Sequence, residues 1–286
     1  MSKGKHTGYK SVGDIMHGPV ITVKDDDSLE KAARTLVTHG ITGAPVVDES
    51  GAALGVISNL DLVKICGRET PEDLKKIRAK DIMTPFVISV EPRTSVYKAA
   101  ELMSKEGVHR LFVLGKMKEK EGIISSFVKV NVLGVISAKD VLNEITKFVA
   151  PIKVEDIMHD ITLVDENISV SKAAKIMAKK EIGSIIVAKK KKPIGIMTER
   201  DILKKVTAGG LDPKTTKISQ VMTAPLTTVS AEASLEEASR LMLRKRIRRL
   251  PVTKNKKIVG MISARSMVGG FARYFRGKPA LAAKKG

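Results

Sequence analysis

The sequence has no tryptophan, a single cysteine, and few other aromatic residues: six phenylalanines and three tyrosines in 286 positions. The lone Cys66 excludes an internal disulfide and fits a reducing cytosol. His6, His17, His39 and His159 show no metal-ligand spacing, so no metal site is expected. With so few aromatics there is little to stack on nucleic-acid bases. No apolar run approaches the roughly 18–20 residues that cross a bilayer, so no membrane partner is expected. The N-terminus, Met1 to His6, has no apolar core behind it; no signal peptide is read, and a cytoplasmic location is expected. No nucleophile–base pair stands out, so no catalytic residue or catalytic cofactor is assigned, and the chain is read as a non-enzyme.

What is present is charge. Lys and Arg number 51 against 31 Asp and Glu, a formal net charge of +20. That imbalance raises nucleic acid, membrane surfaces and anionic small molecules as partners, and does not choose among them. Hydrophobic content of 43% with 29% charged residues suits a globular protein.

The chain is a repeat. Gly195-Ile-Met-Thr-Glu-Arg-Asp201 has near-copies from Gly55 to Asp61, Gly134 to Asp140 and Gly260 to Ser266. Each is an apolar strand that leaves a glycine, delivers a hydroxyl, and is followed three residues on by a carboxylate; the fourth copy has Ser266 instead. One copy alone reads as an ordinary helix start with a Ser/Thr cap. Four copies in register point further, because exposed N–H groups and a positive dipole end beside the hydroxyl suit a phosphate, and the acid can accept from sugar hydroxyls. Upstream, Asp14-Ile-Met16 recurs as Asp81-Ile-Met83, Asp156-Ile-Met158 and, loosely, Gln220-Val-Met222. Between opening and exit lies a helical face at i, i+3, i+4 and i+7: Leu29/Ala32/Ala33/Leu36, Val96/Ala99/Ala100/Met103, Val170/Ala173/Ala174/Met177 and Leu235/Ala238/Ser239/Met242. Asp27 offers the first of these helices a capping-box-like start, and Gly40 a stop. The spacing from face to glycine is 25 or 26 residues, except 38 in the second copy, which marks an insertion at 115–131. The repeats are bounded as 12–66, 79–147, 154–207 and 218–270, with peripheral tails at 1–11 and 271–286.

The β-α-β-β-α order, the Asp-Ile-Met opening and the Gly-apolar-apolar-Ser/Thr-x-x-Asp exit resemble the CBS domain, named from cystathionine β-synthase. The match covers residues 12–269. The resemblance implies an α/β (α+β) fold of four repeats, with one and two forming a CBS pair, three and four another, and the pairs forming a flat disc. The arrangement looks most like the gamma subunit of AMP-activated protein kinase and archaeal stand-alone CBS proteins, which bind adenine nucleotides and respond to energy charge. A non-catalytic, energy-sensing protein that binds AMP, ADP or ATP is therefore expected, acting on a protein target, with disc stacking into a homodimer compatible with it.

The same resemblance assigns residues. Asp61, Asp140 and Asp201 would each hold a ribose, and Ser58, Ser137, Thr198 and Ser263 would face phosphate. His109, Arg110, Arg248 and Arg249 would add positive charge for phosphate, which arginine binds well. The corresponding odd-repeat residues, Thr42-Gly43 and Gly183-Ser184, are neutral, and Thr42 stands where the kinase gamma subunit has an arginine. The base would lie against Val56, Val135, Ile196 and Met261 of the exit strands. Ile21, Ile88, Thr162 and Thr227, ahead of the first strands, would also line it, as would Ile41, Val108, Ile182 and Ile247 ahead of the second. Two other readings stay open: DNA or RNA binding, motivated by the charge, and S-adenosylmethionine, which shares the adenosine but is cationic at sulfur. Lys189 to Lys192 and Arg244 to Arg246 read as solvated faces.

Overall fold

The computed structural model describes residues 10–66, 76–85, 88–114, 132–148 and 150–276. Within them the β-α-β-β-α order occurs four times. The first repeat runs β1 (Val23–Lys24), α1 (Leu29–Thr38), β2 (Gly43–Val47), β3 (Ala53–Ser58) and α2 (Asn59–Cys66). A short helix α3 (Ala79–Ile82) and strand β4 (Thr84–Pro85) lead into the second: β5 (Ser89–Val90), α4 (Val96–Lys105), β6 (Arg110–Leu114), β7 (Val132–Ser137) and α5 (Ala138–Ile145). The third comprises β8 (Leu163–Asp165), α6 (Val170–Lys179), β9 (Ser184–Lys189), β10 (Lys192–Thr198) and α7 (Glu199–Ile202). After a short α8 (Ile218–Val221) the fourth follows as β11 (Val229–Ser230), α9 (Leu235–Lys245), β12 (Arg249–Lys254), β13 (Lys257–Ser263) and α10 (Ala264–Phe275). In every repeat the first strand pairs parallel with the second, and the second antiparallel with the third. The insertion at 115–131 lies outside the described residues.

The helical faces expected from the sequence are the buried ones in all four repeats. Each of these helices is capped by a serine: Ser28, Ser95, Ser169 and Ser234 accept from the backbone N–H three residues on, at 3.1–3.2 Å. The cap of α1 is therefore Ser28 and not Asp27, because the N-cap is the extended residue immediately before the first helical one. Asp27 is buried instead, accepting from the Lys24 N–H at 3.0 Å and pairing with Lys31. Gly40, at φ +64°, ends α1 in the left-handed conformation that glycine adopts without strain.

The chain forms two compact units. One contains the residues up to Val20, Ile88–Asp160 and those from Thr227 on; the other contains Ile21–Val87 and Ile161–Leu226. The first unit thus holds repeats two and four and the second holds repeats one and three, each around its own hydrophobic core. Inside each unit the two alternate repeats share a core through their helices. In the even unit α10 lies along α4 and α5, with Gly269 so close to Ser104 that a Cβ there would come within 2.9 Å of its Oγ. In the odd unit α2 packs on α6 and α7.

Consecutive repeats are linked in another way: they exchange their openings. The Asp14-Ile-Met16 segment belongs to the unit of repeat two, where Val12 and Gly13 donate to the carbonyls of Thr94 and Pro92. Reciprocally, Ala79 and Lys80, at the head of repeat two, donate to the carbonyls of Asp27 and Asp25 in repeat one. Repeats three and four do the same: Val154 and Glu155 donate to Ala233 and Ala231, and Ile218 and Ser219 to Ile168 and Glu166.

The C-terminal boundary differs from the expected peripheral tail at 271–286. Helix α10 runs on to Phe275, and Phe271, Ala272 and Phe275 are buried. The rings of Phe271 and Phe275 lie 4.8 Å apart, tilted by 54°, and both meet Phe148, at 5.9 and 5.8 Å. Burying aromatic area of this size holds the last turns of the helix to the core.

Candidate functional site

The exit junctions are built on a reciprocal cap. The backbone N–H and the hydroxyl of Ser58 donate to Asp61 Oδ2 at 2.8 and 2.6 Å; Ser137 does so to Asp140 at 2.8 and 2.7 Å, and Thr198 to Asp201 at 2.9 and 2.6 Å. Two donors at each helix start are satisfied in this way, so the first role of each acid is structural. In repeat four Ser266 takes over that role. Its Oγ accepts from the Ser263 N–H at 2.9 Å and donates to the Ser263 carbonyl at 3.0 Å. The cap survives the loss of the carboxylate, and the charge does not.

Each junction is overlaid by an exchanged opening segment. The exit glycine lies under the methionine of that segment: a Cβ at Gly55, Gly134, Gly195 or Gly260 would come within 2.6–3.0 Å of the sulfur of Met83, Met16, Met222 or Met158. The residue after the methionine is the register partner of the residue after the glycine, giving Thr84–Val56, His17–Val135, Thr223–Ile196 and His159–Met261. Two of these residues reach the acid. His17 Nε2 lies 2.8 Å from Asp140 Oδ1, and Thr223 Oγ1 donates to Asp201 Oδ1 at 3.0 Å.

The three expected base-contact residues of each repeat fall within one unit: Ile21, Ile41 and Val56 with Thr162, Ile182 and Ile196 in the odd unit; Ile88, Val108 and Val135 with Thr227, Ile247 and Met261 in the even one. All are half-buried except Met261, which is 3% exposed. Half-buried apolar side chains leave area that a flat ring can cover.

The units differ in charge. In the even unit Arg110 is the register partner of Ser137, and Arg249 of Ser263, so an arginine stands beside each helix start. In the odd unit the same places hold Gly43 beside Ser58 and Ser184 beside Thr198. Repeats two and four bring His109, Arg110, Arg248, Arg249 and Arg265 into mutual influence. Loss of solvation, then Arg249, Arg265, Arg248 and Arg110, push the His109 imidazole down to about 3. Arg110 is pushed down to about 9 by desolvation and by Arg248, and is still charged at neutral pH. Among the described residues, the charges that push these two groups down are those of arginines. His109 keeps exposed surface. Crowded cations beside it favour an anion with several oxygens. Among the described residues no group of His, Cys, Asp and Glu is placed to hold a metal.

A family model for the CBS domain matches residues 12–68, 79–147, 154–208 and 218–272. The chain belongs to the CBS-domain family. Its four CBS repeats account for the fold. An uncharacterized protein of Methanocaldococcus jannaschii is 29% identical over 275 residues, which are 88% of this chain and 59% of that protein. The chain thus spans about three-fifths of this relative. A second M. jannaschii protein, described as a proposed archaeal homolog of g-AMPK, is 29% identical over 200 residues, 68% of this chain and 69% of its own. Its crystal structure superposes with a TM-score of 0.75, covering 91% of this chain and 99% of that one at 17% identity. A conserved protein of Pyrococcus horikoshii superposes over 91% of this chain and 99% of its own at 16% identity, with a TM-score of 0.58.

The sequence alone places Asp, Ser/Thr and Arg within the CBS repeats and gives no role to His17, Thr223 or Arg265. His17 and Thr223 sit on the opening of one repeat and act on the exit of another. Arg265, whose Nη1 donates to the Gly107 carbonyl at 3.0 Å, reaches repeat two from repeat four. Only the fold brings such pairs together; the one signal in the sequence is that each residue follows or lies inside a repeated motif.

Proposed function

We propose that this CBS-domain protein binds adenine nucleotides (AMP, ADP or ATP) at its exit junctions and works in the cytoplasm as a non-catalytic energy-sensing regulator. The observation that carries this reading is the gathering of His109, Arg110, Arg248, Arg249 and Arg265, from two repeats, beside the capped helix starts of one unit. The adenine would cover the half-buried apolar residues of a repeat, the ribose diol would donate to Asp61, Asp140 or Asp201, and phosphate oxygens would accept from the arginines. Ser266 leaves the fourth repeat without a diol acceptor. A ligand shifts an equilibrium only by binding one arrangement better than another. Here phosphate would stabilise the arrangement that crowds the cations of repeats two and four, and a protein target would read that arrangement. The neighbour described as a g-AMPK homolog supports the same class of role.

Titration calorimetry with AMP, ADP, ATP and S-adenosylmethionine on ligand-stripped protein tests the proposal. Saturable adenine-nucleotide binding that D61N, D140N and D201N diminish is the expected result; no heat with any nucleotide refutes it. S-adenosylmethionine, cationic at sulfur, is expected to bind more weakly because the arginines repel it. A nucleic-acid reading is favoured by the net charge of +20 and by the exposed lysines, Lys189 to Lys192, at one hairpin tip. DNA or RNA binding there would weaken steeply with salt and persist in the Asp→Asn variants.

A further inference from the structure

A carboxylate offers about four lone-pair sites, two on each oxygen. In Asp61, Asp140 and Asp201 the cap takes both donors on Oδ2. What differs is Oδ1. His17 occupies it in Asp140 and Thr223 occupies it in Asp201, whereas among the described residues no hydrogen bond reaches Asp61 Oδ1. A cis-diol brings two donors. Asp61 has room for both, and Asp140 and Asp201 have room for one.

We propose that the residue after the exchanged methionine is a latch that competes with the ligand's diol for the exit carboxylate: His17 closes the Asp140 junction, Thr223 closes the Asp201 junction, and the Asp61 junction stands open. The inference rests on the nucleotide reading above and adds which side chains set the affinity of each site. A carboxylate only accepts, so the His17 nitrogen facing it carries the hydrogen. The latch is shaped to let go. The His17 side chain is 71% exposed, so the imidazole can swing into water, whereas the Asp140 side chain is 11% exposed and stays fixed by its cap. The opening segment itself remains held through the paired bonds between His17 and Val135, each N–H donating to the other's carbonyl at 2.9 Å. Release is therefore a side-chain event and leaves the exchanged backbone in place. The two histidine-bearing openings, at His17 and His159, both belong to the unit with Arg110 and Arg249 beside its helix starts, and the two threonine-bearing ones to the unit with Gly43 and Ser184 in those places. The unit that attracts phosphate most strongly is thus the one whose diol acceptor is held by an imidazole.

The test is AMP titration by calorimetry on the full chain in a D61N/D201N background, so that the heat reports the Asp140 junction. H17A is expected to bind AMP about tenfold more tightly than its parent, the scale of one charge-assisted hydrogen bond. H17Q, whose amide still donates to Asp140, is expected to stay near the parent, and D140N to lose the site. In NMR spectra the His17 ring signal is expected to move when AMP is added to the parent protein. H17A binding no more tightly than the parent, while D140N abolishes binding, overturns the latch and leaves the nucleotide reading standing. No AMP binding by either the parent or H17A, with wild type equally silent, overturns both.

Discussion

Gly195 in the third repeat lies directly beneath Met222, which opens the fourth: a Cβ on that glycine would stand 2.6 Å from the methionine sulfur and 3.0 Å from the Thr223 carbonyl oxygen. Every exit glycine has such a partner, so the repeated Gly and the repeated Met are two sides of one contact.

Gly55 is the most confined of the four, since its Cβ would come within 2.5 Å of the Thr84 carbonyl oxygen, a backbone atom that cannot swing aside. Gly55→Ala is expected to destabilise the protein by about 1–3 kcal/mol, the usual cost of overpacking. Urea denaturation of the purified variant measures it. Gly51→Ala, at φ +81° with open space around it, is the contrasting case: any loss there comes from backbone strain alone.

Ser239 is fully buried in α9, and among the described residues its Oγ has no hydrogen-bond partner. The same register position is Ala33, Ala100 or Ala174 in the other repeats. Ser239→Ala removes an unsatisfied buried hydroxyl and is expected to stabilise by about 1 kcal/mol. A rightward shift of the urea midpoint at unchanged slope is the signature.

Much of this is legible in the order of residues alone. The four helical faces are buried as the 3.6-residue period requires, because each repeat must hide one apolar stripe whatever its neighbours do. The Ser/Thr-x-x-Asp spacing is local too, and it specifies the cap. What the spacing cannot contain is anything that depends on which repeat meets which. His17 and Asp140 are far apart in sequence, and Arg265 feels His109 only because alternate repeats share a core. The segment after Gly269 reads as peripheral for a similar reason: Phe271 and Phe275 look like an exposed end until Phe148 is seen beside them.

Replacing one cation of the even unit should weaken phosphate binding. Arg110 is held down by desolvation and by Arg248. With Arg248→Gln the affinity for ATP is expected to fall by about tenfold, the value of one charge-assisted bond. Calorimetry on the folded variant decides it, and an unchanged affinity would argue against a phosphate role for Arg248.

The depressed His109 carries a pH signature. Its folded value, about 3, lies below the ordinary 6.5, so the unfolded chain binds the proton more readily. Stability contributed by the neutral imidazole is present above about 6.5 and is lost as pH falls from there toward 3. A bound phosphate reverses the local field and favours the imidazolium, so nucleotide binding should take up a proton and tighten between pH 7 and 5. Calorimetry in two buffers of different ionisation enthalpy detects that proton, and His109→Gln is expected to remove it.

The exchanged openings bear on how such a chain can change over generations. A deletion that removes one repeat takes away the segment covering its neighbour's glycine and leaves behind a segment with nothing to cover. A duplication of one repeat creates the same mismatch. The inheritable part is consequently the consecutive pair, and viable relatives of this chain should gain or shed repeats by twos.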